Sequence, residues 1–144
     1  MNIIQFLLSL FIPKEPTKTL KPCSVIGINE ASSILLDKLE EIGDEHAEIY
    51  LPDTSIKTYL KADVSKSYEL EEVSSLKYSP EFDCDDFAAE LYGKFAGLVW
   101  TSLHALDFFY DEAETFWFLE PQTRKLSRTL EGWQGDDIRF FLSR

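Results

Sequence analysis

The run "SPEFDCDDFAAELYG", residues 79–93, sets Cys84 between Asp83 and the pair Asp85 and Asp86. A cysteine does chemistry as its thiolate, and a thiolate wants a positive field or a helix N-terminus beside it. Asp83 is a good helix N-cap, so Cys84 falls at the first helical position, where free backbone N–H groups and the helix dipole favour negative charge. The three carboxylates oppose that benefit, because like charge disfavours ionisation of the thiol. Two further segments supply what a thiol nucleophile needs. His104 lies in "LVWTSLHALDFFY", and Glu120 and Gln122 lie in "TFWFLEPQT". An imidazole that takes the thiol proton, and an acid that orients the imidazole, make a Cys84–His104–Glu120 arrangement.

Each of these residues also has a structural reading. A helix cysteine is commonly a small core residue, a strand histidine a hydrogen-bonded one, and a glutamate before proline a solvated strand end. Cys23 and His46 have no such neighbours and read as structural.

Strand register separates the two readings. The two aromatic segments, split by "DEAE", read as a β-hairpin. With His104 taken as mid-strand, a turn pairing Tyr110 with Thr115 sets it opposite Pro121 and sends Glu120 to the other face. A register shifted by one, through a bulge or an odd-length loop, brings His104 opposite Glu120 or Gln122. The catalytic arrangement therefore requires an irregular hairpin.

The elements that must hold these residues can be read from the pattern. In "DCDDFAAELYGKF", Phe87, Leu91 and Phe95 form an apolar helical stripe. Upstream, "NEASSILLDKLEEIG" is a helix, with Asn29 as cap, Leu35, Leu39 and Ile42 on one face, and Gly43 at its end. Ala47 to Leu51 reads as a short strand followed by a Pro-Asp turn, and Ile138 to Leu142 as a last strand. "SKSYELEEVSSLKY" is polar and has no clear period. The expected class is α+β, with N-terminal helices followed by a Cys-bearing helix packed on a small antiparallel sheet.

At 144 residues the chain suits one domain, residues 23–144, preceded by an apolar segment and Pro-rich linker over residues 1–22. The apolar stretch over residues 1–12 is too short for a membrane span, which needs ~20 residues, and lacks signal-peptide features. Its helical spacing and the lysines behind it suit docking to a protein or a membrane surface. The net charge of −12 excludes a nucleic-acid-binding face. Two cysteines give no disulfide framework and suit a reducing compartment, so a cytoplasmic or phage-associated location is expected.

The joint pattern of "FDCDDFA", a histidine in an aromatic-rich hairpin and "EPQT" resembles the papain-like cysteine protease domain found at the C-terminus of the fairy-ring mushroom agglutinin. It resembles still more the small stand-alone bacterial and phage proteins that share that domain. The resemblance covers Tyr78 to Leu142. It implies a calcium-dependent peptidase or acyl hydrolase acting on a peptide or acyl substrate. Cys84 would be the nucleophile, His104 the base, Glu120 its orienter and Gln122 a supporting residue. It also implies that Asp85 and Asp86 bind Ca2+, a hard cation whose charge would reverse the field around Cys84. The sequence departs from those relatives at Asp107, where Asn is common, and at Arg124, where an acidic residue is common. The lectin module is absent. The competing expectation is a non-catalytic binding or interaction module, such as a phage accessory protein, that keeps the fold.

Overall fold

In the computed structural model, the residues described are 18–43, 47–50, 55–130, 132–133 and 138–141. The apolar segment over residues 1–12, His46 and the Pro-Asp turn after Tyr50 lie outside them, as does the first half of the Pro-rich linker. Among the described residues, no helix is long and apolar enough to cross a membrane.

Strand β1 (Ser24–Ile26) leads into helix α1 (Ile28–Ile42). Gly43 closes α1 in the left-handed conformation at φ 83°, its N–H returning to the carbonyls of Leu39 and Glu40. β2 (Glu48–Tyr50) and β3 (Ile56–Thr58) follow, then three short helices: α2 (Lys61–Ser65), α3 (Tyr68–Ser74) and α4 (Cys84–Tyr92). The polar stretch without a clear period holds α3, which starts where Ser67 accepts the N–H of Leu70 as an N-cap. The rest of the chain is strand: β4 (Gly97–Trp100), β5 (Ala105–Tyr110), β6 (Phe116–Leu119), β7 (Leu126–Ser127) and β8 (Arg139–Phe141).

These strands build a six-stranded sheet in the order β2-β8-β4-β5-β6-β7, beside a two-stranded sheet of β1 and β3. Every pairing in the large sheet is antiparallel except β2 with β8, which run parallel. The expected papain-like α+β plan, helices followed by a small antiparallel sheet, is corrected here. The sheet is large and mixed, and few helices bracket it. Two features account for the difference. "LVWTSLHALDFFY" is not one strand but two, β4 and β5, folded back at Thr101–His104. The parallel β2·β8 pair joins segments far apart in the chain, which local periodicity cannot show.

β5 is buried on both faces along its whole length. Leu106, Phe108 and Tyr110 pack with Phe116, Phe118, Phe140 and the α1 residues Ala31, Leu35 and Leu39. Tyr110 also donates its hydroxyl to the Ala31 carbonyl at 2.8 Å, tying sheet to helix. On the other face Phe109 and Leu119 pack with Phe87 and Leu91 of α4 and with Val64, Leu70 and Val73 of α2 and α3. The Phe108 ring lies over Gly97, its register partner on β4. A Cβ added at Gly97 would stand 2.3 Å from the tip of that ring, far inside contact distance. Gly97→Ala should therefore destabilise the fold by about 1–3 kcal/mol, the usual cost of overpacking a tight core. Chemical denaturation of Gly97→Ala checks this, and the added change Phe108→Leu should recover part of the loss. An unchanged midpoint for Gly97→Ala would contradict the packing described.

Candidate functional site

The β5–β6 hairpin closes on a three-residue loop, Glu112 to Glu114. Asp111 holds it. One carboxylate oxygen accepts the N–H groups of Ala113 and Thr115, at 2.9 and 2.8 Å, and the other accepts the Trp117 indole N–H at 2.8 Å. Glu114 takes φ 61°, which lets the odd-length loop close. Asp107 then faces Leu119, and Phe108 faces Phe118. Continued one step, this register brings Leu106 opposite Glu120, on the face that carries the pocket.

His104 stands in the turn before β5, not mid-strand as its aromatic neighbours suggest. Thr101 makes that turn. Its hydroxyl oxygen accepts the N–H groups of Leu103 and His104, at 3.1 and 3.0 Å. The hydroxyl donates to the Trp133 carbonyl at 2.7 Å. Trp133 is thereby held against the imidazole, with ring centroids 4.3 Å apart and planes tilted by 30°.

Glu120 ends β6 in a closed turn. Its N–H donates to Lys125 and its carbonyl accepts from Arg124, which sits at φ 65°. Arg124 also donates from Nε to Ser74 of α3 at 2.7 Å, anchoring the loop. Glu120 Oε2 contacts His104 Nε2 in a close pair, with the two side chains 17% and 8% exposed. Its other oxygen accepts the Gln122 N–H at 3.2 Å. A carboxylate in its ionised form can only accept, and against such a partner His104 Nε2 is the donor and Nδ1 the ring's second polar atom.

The pair forms one wall of a pocket of about 340 Å³. Leu106, Phe118 and Leu130 give it an apolar floor, and Gln122, Thr123, Lys125 and Trp133 line its mouth. Of the residues expected from sequence, His104, Glu120 and Gln122 thus come together. Cys84 does not line this pocket. It is half-buried at the first position of α4, packed against Ala88, Leu98 and Ala105. Thr101 and Trp133 were not foreseen. Neither carries a sequence signal beyond a polar turn residue and an exposed tryptophan between glycines.

Around Cys84 the acidic residues take different roles. Asp86 accepts the Asp83 N–H at 3.0 Å as half of a capping box. Asp83 and Asp85 bring carboxylate oxygens within 4.8 Å of each other and of the Cys84 sulfur. A hydrogen bond with Asp85 raises the pKa of Asp83, with the charges of Asp85 and Asp86 adding to it. Among the described residues, Asp83, Cys84 and Asp85 are those placed closely enough to hold a metal ion.

No family model matches this chain. No curated protein matches it either. Solved structures do share its fold. PSL1a in complex with E64 is 22% identical, with a TM-score of 0.66 over 82% of this chain and 50% of that one. The Polyporus squamosus lectin bound to the human-type influenza-binding epitope Neu5Acα2-6Galβ1-4GlcNAc is also 22% identical, with a TM-score of 0.63 over 81% of this chain and 49% of that one. The chain thus spans about half the length of these neighbours. At this identity the likeness is one of fold.

This finding corrects the family resemblance drawn from the motifs. The fold neighbours are structures of a mushroom lectin, not a free-standing papain-like protease. The second neighbour is a lectin and gives no support to the cysteine peptidase or hydrolase reading, with its calcium-dependent Cys–His–Glu chemistry, or to the phage accessory protein, and neither is carried further. The second neighbour itself is bound to a glycan epitope.

The site geometry makes Thr101 a positioning residue. Thr101→Val removes the hydroxyl that anchors Trp133 and caps the His104 turn, at a cost of about 1–3 kcal/mol in stability. It should also change the Trp133 contribution to fluorescence, read as the difference from Trp133→Phe, because the ring leaves the imidazole. An unchanged contribution would mean that the Thr101 contact does not hold the ring.

Proposed function

We propose that this chain is a carbohydrate-binding domain and that the His104–Glu120 pocket holds the sugar. The observation that carries this reading is the pocket's composition. An exposed indole, Trp133, stands beside a partly buried imidazole–carboxylate pair, with amide, hydroxyl and ammonium groups around one mouth. A pyranose offers apolar C–H faces and a ring of hydroxyls, so it needs an aromatic surface on one side and both donors and acceptors on the other. The volume lies at the small end of ligand pockets, which suits one or two sugar rings.

Charge narrows the class to neutral saccharides. Glu120 in the wall and the net charge of −12 both disfavour an acidic sugar, against the one Lys125 ammonium at the mouth. In this reading His104 and Glu120 act as ligand contacts, Gln122 supports Glu120, and Cys84 is packing for the start of α4. Calcium, if bound, is proposed at Asp83 and Asp85. That position is separate from the residues lining the pocket.

Isothermal titration with neutral mono- and disaccharides tests the proposal, run once in EDTA and once in millimolar calcium. A neutral sugar should bind, and Trp133→Ala should weaken it at least about tenfold, or ~1.4 kcal/mol. The affinity should be the same in both buffers. Binding that required calcium would move the ligand to Asp83 and Asp85, and no binding by any neutral sugar would overturn the reading.

A further inference from the structure

Asp107 is the most deeply enclosed ionisable group among the described residues. It is 0% exposed, and neither of its carboxylate oxygens has a hydrogen-bond partner. Its place in β5 shows what it faces. Ala105, two residues before it, packs with Ala88 and Cys84 of α4. Phe109, two residues after it, packs with Phe87 and Leu91 of α4. By alternation Asp107 lies between them, under α4.

The titratable and charged groups around it are few. The strand neighbours at its own level are Leu98 on β4 and Leu119 on β6. β4 carries no charged residue, and β6 leads directly into Glu120. α4 brings Cys84 to this side. His104 in the preceding turn is already paired with Glu120. Asp111, further along the same face, is satisfied by its three donors. None of these offers Asp107 a cation, and an ionised carboxylate left unpaired in an apolar layer carries a large desolvation cost.

We propose that Asp107 is a proton-dependent latch: neutral, it lets α4 seat on β5, and ionised, it drives α4 off the sheet. Burial is the main influence on its proton affinity and the charge of Glu120 the second, and both raise its pKa well above the ordinary carboxylate range. The folded state therefore keeps a proton that the unfolded chain releases above about pH 4. The native state then binds more protons than the unfolded one, so stability falls as pH rises through this window. α4 is the element that opens, because it is short and rests on the sheet through this face, and cooperative units of this kind open before the whole fold does.

Three measurements on the full-length chain decide the matter. Urea unfolding from pH 5 to pH 8 should show the Asp107→Asn variant gaining on the parent, up to about tenfold in folding equilibrium constant per pH unit while the parent's carboxyl stays protonated. Parallel profiles would overturn the latch. Infrared spectroscopy of the parent at neutral pH should show one residual protonated-carboxyl band, and its absence would overturn the proposal even if Asp107→Asn failed to fold. Hydrogen exchange, corrected for its intrinsic pH dependence, should show α4 amides of the parent losing protection with rising pH before the amides of β5 do. Loss in step with β5 would mean that Asp107 destabilises the whole fold and is no latch.

Discussion

The carboxylate of Asp111 gathers three donors at one end of the β5–β6 hairpin, and the geometry of the pocket rests on that small turn. Three residues close it, and an odd-length loop moves the pairing by one position relative to an even one. With that shift, Glu120 arrives on the pocket face of the sheet at the end where His104 stands. Without it, every residue of β6 would change faces, and Phe116 and Phe118 would leave the core they share with Phe108 and Phe140. Register and core packing thus enforce one another, which is why an exposed loop can fix a site at the far end of the strands.

At that far end the polar groups are held by backbone closure more than by their own contacts. Thr101 shapes the β4–β5 turn, and the reverse turn after Glu120 is tied to α3 through Arg124 and Ser74. Each side chain of the pair therefore comes from a fixed turn, and the desolvation of two partly buried groups is offset by their mutual hydrogen bond and by the Gln122 N–H. Trp133 shields the imidazole on one side and leaves part of its own surface to solvent, at 43% exposure. The result is an ordered polar wall over an apolar floor, the combination that recognises ligands carrying both kinds of surface.

Much of this was legible in the chain. The "DCDD" start marked α4, because a capping aspartate followed by acidic first-turn residues has few other uses. Gly43 marked the end of α1. The aromatic hairpin was visible, and with it the condition on its register that the Asp111 loop meets. The division of "LVWTSLHALDFFY" into two strands was hidden, because β-favouring residues run through a turn that one threonine hydroxyl stabilises. The parallel β2·β8 pair was hidden because it joins distant segments. α3 was hidden because its buried face rests on Leu70 and Val73 alone among polar neighbours. At the site, the histidine and glutamate were legible as a pair. Trp133 was not, because it reaches His104 through a loop contact of long sequence separation. Asp107 read as a mere departure from relatives, since burial on both faces of β5 cannot be seen from alternation when every residue of the strand is enclosed. The function class inferred from the motif string finds no support in the lectin neighbour, and a shared fold by itself leaves the role to be argued from the site.

The central claim is that His104 and Glu120 form one ordered hydrogen-bonded unit with the proton on Nε2. The chain has two histidines, so imidazole 15N NMR can assign His104 by comparison with a His46→Gln variant. The account predicts a slowly exchanging, strongly deshielded Nε2–H signal for His104 that disappears in Glu120→Ala. A His104 ring whose Nε2 is unprotonated, or whose proton exchanges as fast as that of a free imidazole, would contradict it.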